Sequence, residues 1–431
     1  MKTKDKTSLM LNDASNSWDC DCDCDCHALP TLQSKLSSTY LELTPACNSR
    51  CVGCSNVFIT DKPTRNMEIA QAPLPIDAWR TILSKLSPHV ERVSITGGEP
   101  TLYKYFPQFM DLLNEFGLRF TLFTNARWVK PQETVTALAQ TDHLNGLLIS
   151  MHGADAATHE AFTLIKGSYQ ETIKNIKLAT SADIPVTMSC IITRHSYDQV
   201  EAVYQLSQSL GVRSVVFNRY VGTLTDEPAP DSAQLKQALI DVERLRVAGE
   251  RVKLSVTVPQ CFHPTSTTGC GAGESFYTID PWGNVKPCNH TPMILGNLRH
   301  DSLEQIQASE QLTYWRNLVP AGCHSCSAQT ICGGGCRAEA MLNQAQSDTL
   351  IQDPYLPEHN TEFLILPEYL HPLATHQFSQ DDFLPNIDCQ TRQVLSEQLN
   401  GAVSLKALGQ QHGQRPVEQL LTEAVTAVAG H

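Results

Sequence analysis

From residue 38 onward, short apolar segments alternate with longer stretches whose apolar residues recur three and four positions apart. "STYLELT", "ERVSITG", "RFTLFTNA", "GLLISMHG", "PVTMSCIITR" and "RSVVFNRYV" are rich in β-branched and aromatic residues and predict six strands. Between them, "DAWRTILSKL", "FPQFMDLLNEFG", "PQETVTALAQ", "SYQETIKNIKLA" and "YDQVEAVYQLSQSLG" carry the helical period. Ser168 and Glu171 have capping-box spacing, which predicts a helix start there. Regular alternation of this kind implies right-handed crossovers and a parallel sheet with helices outside, either open and doubly wound or curved toward a barrel. In a barrel-like sheet, chemistry gathers at the carboxyl ends of the strands.

The alternation stops near residue 245. Cysteine-rich loops follow, with one clear hairpin, "SFYTIDPWGNVKPC", turning at Asp280, Pro281, Trp282 and Gly283. Four segments are therefore expected: an N-terminal Cys/Asp-containing flexible stretch (1–33), an α/β core (34–245), a second domain (246–392) with an insertion (343–388) of Pro and acidic residues without sustained period, and a C-terminal segment (393–431) of short amphipathic helices.

Composition narrows the class. A chain of 431 residues with 41% hydrophobic content is long enough for two or more packed units. Lys plus Arg number 32 against 45 Asp plus Glu, and the net charge of −13 repels a phosphate backbone, so nucleic acid is not expected as a partner. No apolar run approaches bilayer length, and the opening "MKTKDKTSLMLNDASNSWD" has neither an apolar h-region nor a small-residue cleavage site. These features predict a cytoplasmic protein without membrane attachment. Sixteen cysteines in such a compartment read as metal or cluster ligands rather than disulfides.

The first cysteines, in "TPACNSRCVGC", follow the first strand. Cys47, Cys51 and Cys54 supply three thiolates where a closed tetrahedral site needs four. Taken alone, they suit zinc or a cubane cluster with one iron left open to a ligand. The second strand ends in "TGGEP", where Gly97 and Gly98 permit close backbone approach and Glu99 offers an acceptor for an ammonium group.

Together, CxxxCxxC after one strand and GGEP after the next resemble the radical S-adenosylmethionine (radical SAM) enzymes, over residues 36 to 245. The resemblance implies a partial (β/α)6 TIM-like barrel. It also implies a 4Fe–4S cluster on Cys47, Cys51 and Cys54 whose open iron is chelated by SAM. An electron from the reduced cluster, delivered by a partner such as flavodoxin or ferredoxin, then cleaves the sulfonium to a 5′-deoxyadenosyl radical that abstracts a substrate hydrogen. By motif position Gly97, Gly98 and Glu99 would bind the methionine amino end. Asn125 in "TNA" and Ser150 in "SMHG" match positions that face SAM, with loop capping as the alternative at each. Two departures stand out. Gly53 occupies the place before the third cysteine, where relatives carry an aromatic residue that helps place adenine. "HEAFTLIKG" lacks the arginine that several relatives use for the SAM carboxylate. Arg219, ending the sixth strand, is a candidate for that carboxylate or for a surface ion pair, and His152 reads as a hydrogen-bonded loop residue rather than a base.

Downstream come Cys270, Cys288 and "CHSCSAQTICGGGC", with Cys323, Cys326, Cys332 and Cys336, then Cys389. Without context, this spacing suggests a four-thiolate zinc site. The whole order, and "CGGGCRAEA" above all, resembles the SPASM domain attached to many radical SAM enzymes. That resemblance implies two auxiliary 4Fe–4S clusters, one on Cys261, Cys270, Cys288 and Cys336, the other on Cys323, Cys326, Cys332 and Cys389. The long gap before Cys389 leaves room for Asp353 or a histidine as the last ligand. Sulfatase-maturing relatives often place an aspartate after the hairpin cysteine. Asn289 stands there instead, which disfavours that activity.

"CDCDCDCHALP" sets Cys20, Cys22, Cys24 and Cys26 at alternate positions, one face of an extended chain, to bind a soft metal or to form a mobile acidic segment. Cys190, inside an apolar strand, reads as a buried small side chain. The closing "VLSEQLNGAVSLKALGQQHG" faintly resembles the helical half of peptide-recognition modules, or is a helical clamp. The leading expectation is a radical SAM and SPASM oxidoreductase of maturase type, acting on a peptide or protein by crosslinking, epimerisation or oxidation. The alternatives are a SAM-dependent oxidoreductase of a small metabolite and a non-catalytic iron–sulfur or zinc scaffold.

Overall fold

The computed structural model describes residues 36, 38–54, 71–90, 92–223, 226–259, 269–320, 323 and 332–343. Each of the six apolar segments forms a strand: β1 (Ser38–Glu42), β2 (Arg92–Thr96), β3 (Arg119–Thr124), β4 (Leu144–Ser150), β5 (Val186–Ile192) and β6 (Ser214–Arg219). Helices connect them: α1 (Ile76–Leu86), α2 (Phe106–Glu115), α3 (Pro131–Ala139), the pair α4 (Ala156–Thr163) and α5 (Ser168–Ser181), and α6 (Val200–Ser209). α1 illustrates the physics. Its Trp79, Ile82, Leu83 and Leu86 fall on one stripe and are all buried, and Trp79 meets Phe109 of α2 edge to face with ring centroids 5.4 Å apart.

The alternation runs one unit past residue 245. α7 (Ser232–Val247) opens on a capping box in which Asp231 accepts from the backbone of Gln234 and Gln234 reciprocates. It delivers β7 (Val252–Leu254), which pairs in parallel with β6. β1 to β7 are parallel throughout. On the other flank the predicted hairpin forms, as β8 (Phe276–Ile279) and β9 (Asn284–Lys286), with β10 (Gly296–Asn297) beyond it. Asp280 accepts from the backbone of Trp282 and Asn284, both at 2.9 Å, and Gly283 takes φ +89°. β8 adds to β1 in parallel, so the hairpin extends the core sheet to ten strands in the order β10-β9-β8-β1-β2-β3-β4-β5-β6-β7.

This sheet is curled. Tyr40 of β1, Phe123 of β3, Leu148 and Ser150 of β4, Ser189 and Ile191 of β5, and Val216 and Asn218 of β6 line one cavity. A flat sheet could not bring β1 and β6 to the same space. The second domain adds α8 (Leu303–Gln307), α9 (Glu310–Arg316) and α10 (Arg337–Leu342). No helix among the described residues is long and apolar enough to cross a membrane.

One local expectation fails. Ser168 is not an N-cap: α5 begins one residue earlier, with Gly167 as the cap in left-handed conformation and no side-chain capping bond. The Ser168 hydroxyl is taken by Thr163 at 2.8 Å and Glu171 by Arg127, so tertiary partners outcompete the local box. The segments 1–33 and 393–431, and the insertion 343–388 apart from Asn343, lie outside the described residues.

Candidate active site

β1 ends at Glu42, and the loop that follows carries Cys47, Cys51 and Cys54 along the wall of a cavity of about 400 Å³. Two neighbours hold that loop. On one side Gly98 N donates to Thr44 O at 2.6 Å and Glu99 N to Ala46 O at 2.7 Å. On the other, Arg50 N donates to Thr163 O at 3.0 Å and Val52 N to Phe162 O at 2.8 Å. The glycine pair after β2 acquires a definite purpose here. A Cβ on Gly98 would stand 2.1 Å from Ala46 O, and one on Gly97 2.6 Å from Thr44 O. The close approach the sequence implies is to the cysteine loop's own backbone, and both glycines also line the cavity.

The donor set suits an iron–sulfur cluster. Cys47 Sγ accepts from Ser49 N at 3.4 Å and Asn125 Nδ2 at 3.8 Å, bonds of the kind that tune cluster sulfurs. Burial, opposed by the Ser49 N–H, pushes the Cys47 thiol up to about 11. The bare residue is therefore a neutral thiol at neutral pH, and a bound cation would favour its thiolate. Among the described residues, no three His, Cys, Asp or Glu side chains gather as a single metal ion would need.

Glu99 sits behind the glycines rather than on the cavity wall. It is fully buried, and burial raises its carboxyl above the ordinary range against four hydrogen bonds. Oε1 accepts from Thr101 N (3.3 Å), Thr101 Oγ1 (2.7 Å) and Thr124 Oγ1 (2.8 Å), and Oε2 accepts from Asn125 N (2.8 Å). Asn125 takes the loop-capping role and also lies on the cavity wall. Its Oδ1 accepts from Arg127 N at 2.8 Å, a loop-closing turn, while its Nδ2 donates to Asn48 Oδ1 at 2.7 Å and the residue lines the cavity. Ser150, ending β4, lines the cavity too.

Arg219 also reaches the cavity wall, but its guanidinium is ion-paired with Glu339 of α10. His152 sits in the loop after β4, where its backbone N donates to His159 Nδ1 at 3.1 Å. Its ring lies 4.1 Å from that of Phe162, and burial pushes it down to about 3, so it is neutral. Gly53 explains its own departure: a Cβ there would stand 2.7 Å from Tyr220 Cε2 and 2.8 Å from Phe162 Cε2. A side chain at this place would run into two rings from other elements.

Cys270, Cys288 and Cys336 line the same cavity. Burial, with Cys336 and Cys270 adding to it, pushes the Cys288 thiol far up. Cys323 and Cys332 are buried but off the cavity wall. The three glycines of "CGGGC", Gly333, Gly334 and Gly335, all take positive φ, and a Cβ on Gly334 would meet Pro320 at 2.4 Å. Asn289 lines the cavity as well, and Cys190 is buried in β5. Cys20, Cys22, Cys24, Cys26, Cys261, Cys326, Asp353 and Cys389 lie outside the described residues.

Sequence reading missed Arg127, Phe162, and two buried ion pairs, Arg219–Glu339 and Glu42–Lys286, the latter at 3.0 Å between β1 and β9. A lone charge inside a strand, such as Glu42 in "STYLELT", was the available signal.

Comparison with known proteins agrees with this arrangement. The radical SAM superfamily model matches residues 41–207, and the model of the SPASM iron–sulfur cluster-binding domain matches residues 270–327. The AdoMet-dependent heme synthase of Methanosarcina barkeri is 23% identical over 343 residues, covering 73% of this chain and 94% of its own. The PqqA peptide cyclase of Bradyrhizobium diazoefficiens is 28% identical over 344 residues, covering 75% and 87%. Streptococcus suis SuiB bound to S-adenosylmethionine shares the fold with TM-score 0.61 at 19% identity, over 75% of this chain and 77% of that one. Native anSMEcpe with bound AdoMet does so with TM-score 0.60 at 16% identity, over 78% and 97%.

Proposed function

The chain belongs to the radical SAM superfamily and carries a C-terminal SPASM domain, and from that premise we propose that it modifies a peptide or protein by hydrogen abstraction. The observation that carries this reading is the shared cavity: Cys47, Cys51 and Cys54 line one wall, and Cys270, Cys288 and Cys336 line another. Cys47, Cys51 and Cys54 would hold a 4Fe–4S cluster, which would supply the electron for reductive cleavage of SAM. The second trio would hold an auxiliary cluster facing the same substrate space, with Cys261 completing it, and Cys323, Cys326, Cys332 and Cys389 would hold the other. An electron-accepting cluster beside the substrate suits oxidative outcomes such as crosslinking.

Around SAM, the backbone of Gly97 and Gly98 would meet the methionine end, and Asn125 and Ser150 would contact the nucleotide. Neutral His152, held on Phe162, would pack and orient rather than exchange protons at neutral pH. A flavodoxin or ferredoxin would supply the electron. The peptide assignment draws support from the PqqA peptide cyclases among the relatives. A second reading, a small-molecule substrate, draws support from the heme synthase relative.

The test is anaerobic reconstitution followed by turnover with deuterated candidate peptides. Transfer of deuterium into 5′-deoxyadenosine, with a mass change in the peptide, supports the proposal, and Cys51→Ala should abolish both. Turnover of tetrapyrrole-type acceptors with peptides inert would move the assignment to the second reading. Absence of SAM cleavage by the iron-loaded enzyme would sink both.

A further inference from the structure

A carboxylate bound near the cysteine loop needs a cation, and the described cavity wall offers two arginines. Arg219 is fully buried and committed to Glu339. Lys166, the cation of "HEAFTLIKG", is exposed and off the cavity wall. Arg127, in the loop after β3, is different. It lines the cavity, and its side chain is only 15% exposed.

Its donors can be counted. A guanidinium has five N–H groups in a fixed fork. Nε donates to Glu171 Oε2 at 2.7 Å, and Nη1 donates to Asn48 O at 2.5 Å with Ser49 Oγ at 3.5 Å. Nη2 has no partner among the described residues. The side chain is thus pinned along one edge, to α5 and to the loop between Cys47 and Cys51, and its remaining donors stay unused. A guanidinium fixed in this way loses little freedom on taking an anion. Its surroundings belong to the cofactor end of the cavity: Asn125, two residues earlier, contacts Cys47, and its backbone N is held by Glu99.

We propose that Arg127 Nη2 binds the carboxylate of SAM, in place of the arginine missing from "HEAFTLIKG"; this rests on SAM occupying the cavity beside Cys47. Glu171 is then a competing anion on the opposite edge of the same guanidinium. It sets the orientation of Arg127 and moderates its charge.

The test compares SAM with decarboxylated SAM, by equilibrium dialysis against the iron-loaded enzyme without reductant. Wild type is expected to prefer SAM by roughly 10- to 100-fold, the range for a charge-assisted hydrogen bond. Arg127→Met should erase the preference by weakening SAM while decarboxylated SAM binds as to wild type, and Arg127→Lys should keep part of it. Glu171→Gln, which leaves the Asn48 contact intact, should raise the preference for SAM. Arg127→Met retaining the preference would overturn the assignment, as would Glu171→Gln lowering it. Wild type binding neither nucleotide is a distinct result that removes the cofactor reading itself, and this one with it.

Discussion

Arg219, the last residue of β6, is ion-paired with Glu339, three residues after Cys336, and the two side chains are 0% and 1% exposed. The pair joins the barrel's carboxyl edge to the helix that follows Cys336. Arg337, two residues before Glu339, donates to Cys270 O at 3.3 Å and so ties the same helix to the loop that carries Cys270. Burying two charges is costly, so the pair specifies a docking geometry more than it adds stability.

Removing one partner should expose that cost. Glu339→Ala is expected to lose about 3–5 kcal/mol in denaturant unfolding, because the buried Arg219 loses the carboxylate it is ion-paired with. Replacing both residues with apolar ones of similar volume, as Arg219→Met with Glu339→Leu, should recover most of the loss. A single variant as stable as wild type would show that the pair does not hold the junction.

Gly53 makes a second prediction. Restoring the aromatic residue that relatives carry, as Gly53→Tyr, drives a side chain into the rings of Phe162 and Tyr220, and Tyr220 cannot swing freely because its hydroxyl donates to Asp226 at 2.6 Å. Iron content after reconstitution is expected to fall by the share that Cys47, Cys51 and Cys54 would hold, with the rest retained. Phe162→Ala in the same chain should restore part of that share. Wild-type iron content in Gly53→Tyr would mean the rings yield, and the explanation of Gly53 would fail.

These relationships mark the limit of what the sequence disclosed. The six barrel strands were legible because each is a contiguous apolar run, and the cluster loop because its cysteines are local in sequence. β7 and β10 are too short for a period to show. Gly97 and Gly98 were recognisable as close-approach positions, but whose backbone approaches is a tertiary fact. Ser168 failed as a cap for the same reason: Thr163 is a partner that no local rule sees. Arg127 lay in plain view two residues after Asn125 and carried no signal until Asn48 and Glu171 were placed beside it.

The buried imidazoles set a pH dependence. Burial lowers His152 to about 3 and His159 to about 4 from the ordinary 6.5, so between those values the unfolded chain binds the protons. Their contribution is complete above pH 6.5 and is lost as pH falls, at about 1.4 kcal/mol per pH unit for each group. Glu42 acts oppositely: burial raises it to about 7, so its contribution is complete below its ordinary 4.5 and is lost as pH rises toward 7. Substitution separates them. His152→Phe, which keeps the ring against Phe162, should unfold with a pH slope between 6 and 5 shallower by about 1.4 kcal/mol per unit. An unchanged slope would mean His152 is protonated in the folded state.

The last prediction concerns Glu99, where sequence and structure suggest different work. Its place in "TGGEP" implies contact with the SAM ammonium, yet the carboxylate is sequestered behind Gly98 with four donors pointing at it. Two of those donors are backbone N–H groups, which cannot reverse their role, and the Thr124 hydroxyl is fixed as a donor because it accepts from Ala126 N and Trp128 Nε1, both at 3.0 Å; only the Thr101 hydroxyl can turn. In Glu99→Gln the amide can therefore keep its oxygen on only one of Thr101 N and Asn125 N, and the other faces an NH2 group. Losing one charge-assisted bond and burying a mismatched donor should cost about 1.5–3 kcal/mol of stability. The damage should spread through Asn125 to its bond with Cys47 Sγ, giving a shifted EPR spectrum of the reduced cluster before SAM is added. A Glu99→Gln enzyme with wild-type stability and a wild-type spectrum, but selectively weakened SAM binding, would instead place the carboxylate in direct contact with the cofactor.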